Sequence, residues 1–254
     1  MNNASVAYAL TYVPLPVGLV GAAMLAGAIG WVSSRRSSPP PTLSPQRRVL
    51  AMGFPLFLLA AVLVIALARS WSFFDQLEDA TDREASALVS LARHAQVLPD
   101  AERTDVRALA RRYAVGVADV EFASMDRGER PPSASPELDA ISLIWSRADV
   151  APVLVRAAQS DLARIDELRR KRHAAISPAV PLVFLALGVV ALIASLLMAS
   201  EVLVGPPRIR FAVTSLLVFV FLTAGLLVAQ FSLPFAGDLS VDSAAFVDAA
   251  NELR

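Results

Sequence analysis

Four long stretches of this chain carry no charged side chain, and almost every charge lies between them. Met1 to Ser34, Val49 to Ala68, Ala174 to Ser200 and Phe211 to Gly237 contain no Asp, Glu, Lys or Arg. A helix needs roughly 20 apolar residues to cross about 30 Å of hydrocarbon, and inside that layer its backbone must bond to itself. Each stretch is long enough, so the pattern predicts an all-α, multi-pass membrane protein with four transmembrane helices. The residues between the second and third spans form a helical extramembrane domain. The mean hydropathy of +0.55, with 56% hydrophobic residues, agrees. A cleaved signal peptide would need a basic segment ahead of its apolar stretch, and Met1 to Tyr12 has no Lys or Arg.

The expected organisation is a first span within residues 1–34, a Pro/Arg connector over 35–47 and a second span over 48–70. The helical domain follows over 71–175, then a third span over 176–200, a short loop over 201–210, a fourth span over 211–233 and a tail over 234–254. On the first span Gly18, Ala22, Ala26 and Gly30 recur every fourth residue, spacing that lets a second helix backbone approach closely. The second helix meets no Gly or Pro between Asp75 and Gln96, so it is expected to continue past the membrane surface as one rod. Along it Leu77, Ala80, Glu84, Leu88, Leu91 and Ala95 make one face.

After the break at Pro99, Val106, Leu109, Tyr113, Val117 and Val120 share a face of the next helix. Shorter helices are expected around Leu138 to Trp145 and through Leu154, Ala158, Leu162 and Ile165. Ser177 and Pro178 read as the cap and first residue of the third span, and Gly205-Pro206-Pro207 as the turn between the last two spans. Pro234 and Gly237 end the fourth span. Asp242 then caps a terminal helix, with Val241 and Phe246 as its hydrophobic staple.

From the second span onward the chain resembles the bestrophin-like family of bacterial membrane proteins. The resemblance is carried by PFAGDLSVDSAAFVDA, Pro234 to Ala249, similar to the family's ending of a Pro-Phe-small-Gly turn, a strand-like pair and a capped helix. It is carried also by DREASALVSLARHAQVLPDAERTDVRALARRYA, Asp82 to Ala114. Ahead of the second span, where members carry a His-Asn-acidic motif, this chain has Gln46-Arg47-Arg48-Val49-Leu50. The resemblance implies distant similarity to bestrophins, which are oligomeric anion channels with a cytoplasmic middle domain. The implied setting is a bacterial inner membrane, with lipids and further copies of the chain as partners.

No residue stands out as catalytic, cofactor-binding or metal-ligating, and no enzyme is expected. There is no phosphate loop, nucleophile elbow or paired carboxylate. His94 and His173 lack clustered carboxylates, and the zero net charge gives no reason to expect nucleic acid. Arg69, Asp75, Glu201 and Asp238 read as interfacial charges at span ends. Thr214, Ser215, Thr223 and Gln230 read as helix-to-helix hydrogen-bonding groups. The run Arg169-Arg170-Lys171-Arg172 reads either as a solvated helix end or as a contact for anionic headgroups. Two functions stay open. One is a homo-oligomeric anion channel with a narrow apolar pore, gated by dewetting, in which the helical domain is a vestibule. The other is a membrane-anchored sensor or scaffold whose helical domain binds a ligand or partner, a reading that a pocket in that domain favours. Orientation also stays open. Arg35, Arg36, Arg47 and Arg48 place the first short loop in the cytoplasm, whereas the basic run before the third span argues the reverse.

Overall fold

A computed structural model of the chain describes residues 14–35, 44–131, 135–176, 182–202, 206–236 and 238–254, the side chains of 45–52, 182–185 and 198–202 excepted. Ser177, Pro178, Gly205, Gly237 and most of the 35–47 connector lie outside the described residues, as does the Glu201 side chain. Among the described residues every regular element is helical. They are α1 Leu15–Arg35, α2 Pro45–His94, α3 Asp100–Gly116, α4 Phe122–Asp126, α5 Pro136–Arg147, α6 Pro152–Ala174, α7 Leu182–Val202, α8 Pro207–Ser232 and α9 Ala244–Glu252. A 3₁₀ turn, Ala95–Val97, follows α2, and a π-helical turn, Val117–Glu121, joins α3 to α4.

The helices form two compact units. One comprises Met1–Phe73 with Pro178–Ser232, and the other Phe74–Ser177 with Leu233–Arg254. They are called the membrane unit and the bundle below. Three helices, α1, α2 and α8, are long and apolar enough to cross a membrane, and α7 contains the shorter apolar stretch Ala186–Leu197.

In the membrane unit, α1 packs along α8 in the antiparallel sense. Gly18 lies against Leu226, a Cβ there falling 2.6 Å from Leu226 Cδ2, while Gly30 lies against Ser215 and the Phe211 carbonyl. Ala22, Ala26 and Gly30 are the buried residues of α1, so the small-residue face is the packed one. In lipid, where burial of apolar surface between helices brings little gain, this close approach supplies the van der Waals contact that holds the pair. Val218 and Thr214 of α8 are buried. Helix α2 joins through Ala66 on Val228, and Ser70 shares a hydrogen bond with Ser232 (3.2 Å). Gly188 of α7 faces Phe221 and Val62.

The loop expected over 201–210 is shorter than predicted, because α8 already begins at Pro207. Pro needs no amide partner in a first helical turn, so the two prolines start the helix rather than hold it off. The correction places Arg210 inside α8, buried, with Nη2 donating to the Ser34 carbonyl (3.2 Å) in the last turn of α1. A cation there satisfies a helix-end carbonyl and opposes the helix dipole. The aromatic residues Trp31, beneath the Arg35 guanidinium at 3.8 Å, and Trp71, edge-on to Phe231, lie toward opposite ends of the unit.

Helix α2 runs without interruption from Pro45 to His94, through Pro55 and past Trp71 to Asp75. Every member of its predicted stripe, from Leu77 to Ala95, is buried. In the bundle Glu84 of this stripe meets Tyr113 of α3 and Arg172 of α6, and α5 packs on α3 and α6. Ile141 and Trp145 of α5, Ala158 and Ile165 of α6, and Val106, Ala110 and Val117 complete the core. The loop after α4 turns at Gly128, whose φ of 71° suits a residue without Cβ. The tail holds no strand among its described residues. Instead the Val241 amide donates back to the Pro234 carbonyl (2.7 Å), closing the turn that precedes α9. Asp242 Oδ1 accepts from the Ala244 amide (3.0 Å), and the helix begins at Ala244 rather than at Asp242.

Candidate functional site

The polar centre of the bundle is built by three elements far apart in sequence. Helix α6 supplies Arg169, Arg172 and His173, α2 supplies Glu84, and α3 with its π turn supplies Tyr113 and Glu121. Arg172 is fully buried. Its Nε donates to Glu84 Oε2 and its Nη2 to Glu84 Oε1, both at 3.0 Å, a bidentate fork. The same Nη2 is 2.8 Å from Glu121 Oε2. Tyr113 donates its hydroxyl to Glu84 Oε1 (2.6 Å). Glu121 Oε1 accepts from Nη2 and Nε of Arg169 (2.5 and 3.2 Å), and its Oε2 faces His173 Nε2 (3.2 Å). The faces of the Arg172 guanidinium are lined by Phe122 and Phe246, each ring centroid 5.5 Å away. Phe246, from the tail, has no exposed surface and also meets Tyr113 and Phe122 ring to ring.

The electrostatics follow from this enclosure. Burial opposes ionisation of Glu121, but the His173 hydrogen bond, Arg172 and Arg169 overcome it and bring its carboxyl down to about 2. Burial likewise opposes the charge on Arg172, yet Glu84 and then Glu121 hold it more firmly protonated than a free arginine. Burial and the neighbouring Glu84 carboxylate push the Tyr113 phenol well above its ordinary value. Two guanidiniums therefore face two carboxylates, with a neutral phenol as an additional donor. Glu121, Arg172 and Tyr113 are each shifted away from neutral pH, the opposite of what a general acid or base requires. What the arrangement does is clamp α2, the π turn and α6 together under the tail.

The expectation for Arg169 to Arg172 is corrected here. Arg169 and Arg172 turn inward, and only Arg170 and Lys171 are solvated, paired with Asp166 and Glu167 one turn back. The signal was present. The apolar stripe Leu154, Ala158, Leu162 and Ile165 extends at the same spacing to Arg169 and Arg172. His94 lies 3.2 Å from Asp161, and the described residues hold no cluster of three metal-ligating side chains. Arg69, Asp75 and Asp238 are exposed. Of the polar residues of α8, Thr214 shares a hydrogen bond with Ser33 of α1 (3.3 Å), Ser215 lies against Gly30, Gln230 is fully buried and Thr223 half-buried. The bundle surface carries an open groove of about 410 Å³ between α2 and α9, lined by Asp82, Ser86, Val89, Arg93, Asp248 and Glu252 among others. Arg93 and Glu252 form an ion pair (2.6 Å) beside it.

An apolar helical unit joined by chain to a charge-clamped bundle defines a helical membrane protein. The family model of a bestrophin-like domain matches residues 21–246, and the chain belongs to that family. A crystal structure described as that of a membrane protein superposes with a TM-score of 0.72 over 92% of this chain and 97% of its own, at 12% identity, a likeness of fold. No curated protein matches.

Proposed function

We propose that this bestrophin-like protein is a homo-oligomeric, anion-conducting channel of a bacterial inner membrane, with α7 as its fourth crossing. Membership of the family along residues 21–246 carries the reading, since bestrophins are oligomeric anion channels. The membrane unit supplies supporting surface. Val17 and Met24 of α1, Phe54, Phe57 and Val64 of α2 and Leu216 of α8 are largely exposed on a single chain. Such faces require lipid or a second copy. A pore lined by apolar helices of this kind gates by dewetting and needs no charge within it. The ion cluster supports a structural role in the bundle, because Glu121, Arg172 and Tyr113 are shifted away from neutral pH and paired within it. Purified protein in liposomes is expected to carry a chloride or iodide flux above protein-free vesicles and to form rings in electron micrographs. Well-incorporated rings without flux would refute conduction.

The groove beside the Arg93–Glu252 pair favours a second reading, a membrane-anchored sensor whose bundle binds a ligand. A ligand-dependent rise in bundle stability without flux is the outcome that distinguishes it.

A further inference from the structure

The groove between α2 and α9 does not end at the Arg93–Glu252 pair. A second, smaller hollow of about 150 Å³ adjoins it there, sharing Val89, Arg93 and Glu252 and adding Gln96 and, from α3, Arg107. This hollow lies at the C-terminal ends of both helices, so α2 and α9 run side by side in the same direction. The floor of the larger groove is small and apolar, with Ala85, Val89 and Ala249 buried along it. Its other end is acidic, with Asp82 on α2 and Asp248 on α9. Neither carboxylate has a cationic partner among the described residues, and Arg107 has no acidic one. The cleft is therefore bipolar, with unpaired carboxylates at one end, an unpaired guanidinium at the other and a self-neutralised pair between them. Asp82 and Arg93 are separated by about 16 Å along α2, at 1.5 Å per residue.

We propose that this cleft binds a short peptide with free termini, its ammonium group between Asp82 and Asp248 and its carboxylate at Arg93 and Arg107. The inference rests on the sensor reading above and names the ligand class of that groove. Length selects the class. An extended chain advances about 3.3 Å per residue, so about four to five residues reach from the acidic end to the basic one, whereas a single amino acid cannot touch both. The floor favours a close-lying backbone, because Ala85 and Ala249 leave room above them. Ser86 and the Gln96 amide are exposed along the cleft as hydrogen-bonding partners for peptide groups. Charge-assisted bonds to the two termini then fix the direction of the bound chain. The Arg93–Glu252 pair is no obstacle. Its side chains are 67% and 51% exposed, and a pair so exposed is weak enough for Arg93 to exchange Glu252 for a ligand carboxylate. A bare anion is a poorer fit, since the carbonyls at the C-terminal ends of α2 and α9 repel it and it gains nothing from Asp82 or Asp248.

Tetra-alanine is the probe, titrated calorimetrically into full-length protein in detergent. The free peptide is expected to bind, and capping either terminus, by N-acetylation or C-amidation, to weaken binding about tenfold or more, the usual loss for one charge-assisted hydrogen bond. Residue and terminus should be coupled. Arg107→Gln is expected to weaken the free peptide but to add little to amidation, and Asp248→Asn to weaken the free peptide but to add little to acetylation. Both side chains are exposed, so the substitutions leave the core of the bundle untouched. Equal affinity for free and doubly capped tetra-alanine overturns the proposal. So does the absence of binding by the free peptide, or losses from the two substitutions that simply add to those of the caps. A different ligand that stabilises the bundle where tetra-alanine does not overturns the peptide assignment alone and leaves the sensor reading in place.

Discussion

Arg172→Met tests whether the ion cluster governs the bundle. Methionine fills much of the aliphatic space of arginine and removes the guanidinium, so packing between Phe122 and Phe246 is largely kept. What is lost are the two 3.0 Å bonds to Glu84 and the 2.8 Å contact with Glu121. Glu121 retains Arg169 and His173, but Glu84, which has no exposed surface, is left with Tyr113 as its remaining partner in the cluster. Removing one partner of a buried pair and stranding the other costs about 3–5 kcal/mol. At roughly 3 °C per kcal/mol for a unit of this size, the bundle should melt about 10–15 °C lower. The assay is thermal unfolding of detergent-solubilised protein followed by circular dichroism. Arg172→Lys keeps the charge but not the fork, and should lie between the two. Adding Glu84→Gln to Arg172→Met should recover part of the loss, since the stranded carboxylate disappears, with a coupling of about 1–3 kcal/mol. A melting curve for Arg172→Met within 2 °C of the parent would refute the claim that the cluster holds the bundle together.

Other outcomes follow from the same structure. Phe246→Ala empties a site with no solvent exposure among Tyr113, Phe122 and Arg172 and should cost about 3–5 kcal/mol, with the tail becoming sensitive to limited proteolysis. A tail as resistant as the parent's would contradict its docking. Because the Glu121 carboxyl is depressed from 4.5 to about 2, its contribution is complete above pH 4.5 and disappears as pH falls toward 2, about 3 kcal/mol in all. Glu121→Gln should therefore flatten stability over that window, as a pH series of melts would record. Gly30→Ala should weaken α1–α8 pairing by about 1–3 kcal/mol, since its Cβ meets Ser215 and the Phe211 carbonyl, whereas Gly21→Ala, facing open space, should be neutral or mildly stabilising. Equal helix-pair stability in the two variants would remove the close-approach argument.

Much of the architecture was legible because lipid imposes so plain a code. Charge-free windows mark α1, α2 and α8, and the every-fourth-residue spacing of Gly18 to Gly30 identifies the face that packs. The unbroken α2 could be read from the lack of Gly and Pro after Asp75. The site was less legible, for two physical reasons. A charge-rich helix end looks solvated unless its partners are known, and Glu84 and Glu121 are 88 and 48 residues from the arginines they bind. The second reason is the π turn. An ordinary helix would place Val120 on the face of Val106, Tyr113 and Val117, but the wider turn over Val117–Glu121 shifts the register. Val120 is 61% exposed and Glu121 points inward instead. Leu109, too, is only half-buried, the core position going to Ala110. No periodicity argument anticipates an extra residue in a turn.

The position of Phe246 has a consequence for how the protein is made. Glu84, Tyr113 and Glu121 leave the ribosome first, then Arg169 and Arg172, and only afterwards α7 and α8. The aromatic ring that covers Arg172 comes from the far side of those two apolar helices in chain order. At synthesis rates of about 5–20 residues per second the paired charges wait several seconds for that cover. The bundle cannot reach its final packing until the last apolar helix has been made and the tail has emerged. Completion of the polar half is thereby timed to follow synthesis of the apolar half, and a chain whose tail fails to return is left with an uncovered arginine that proteolysis can recognise.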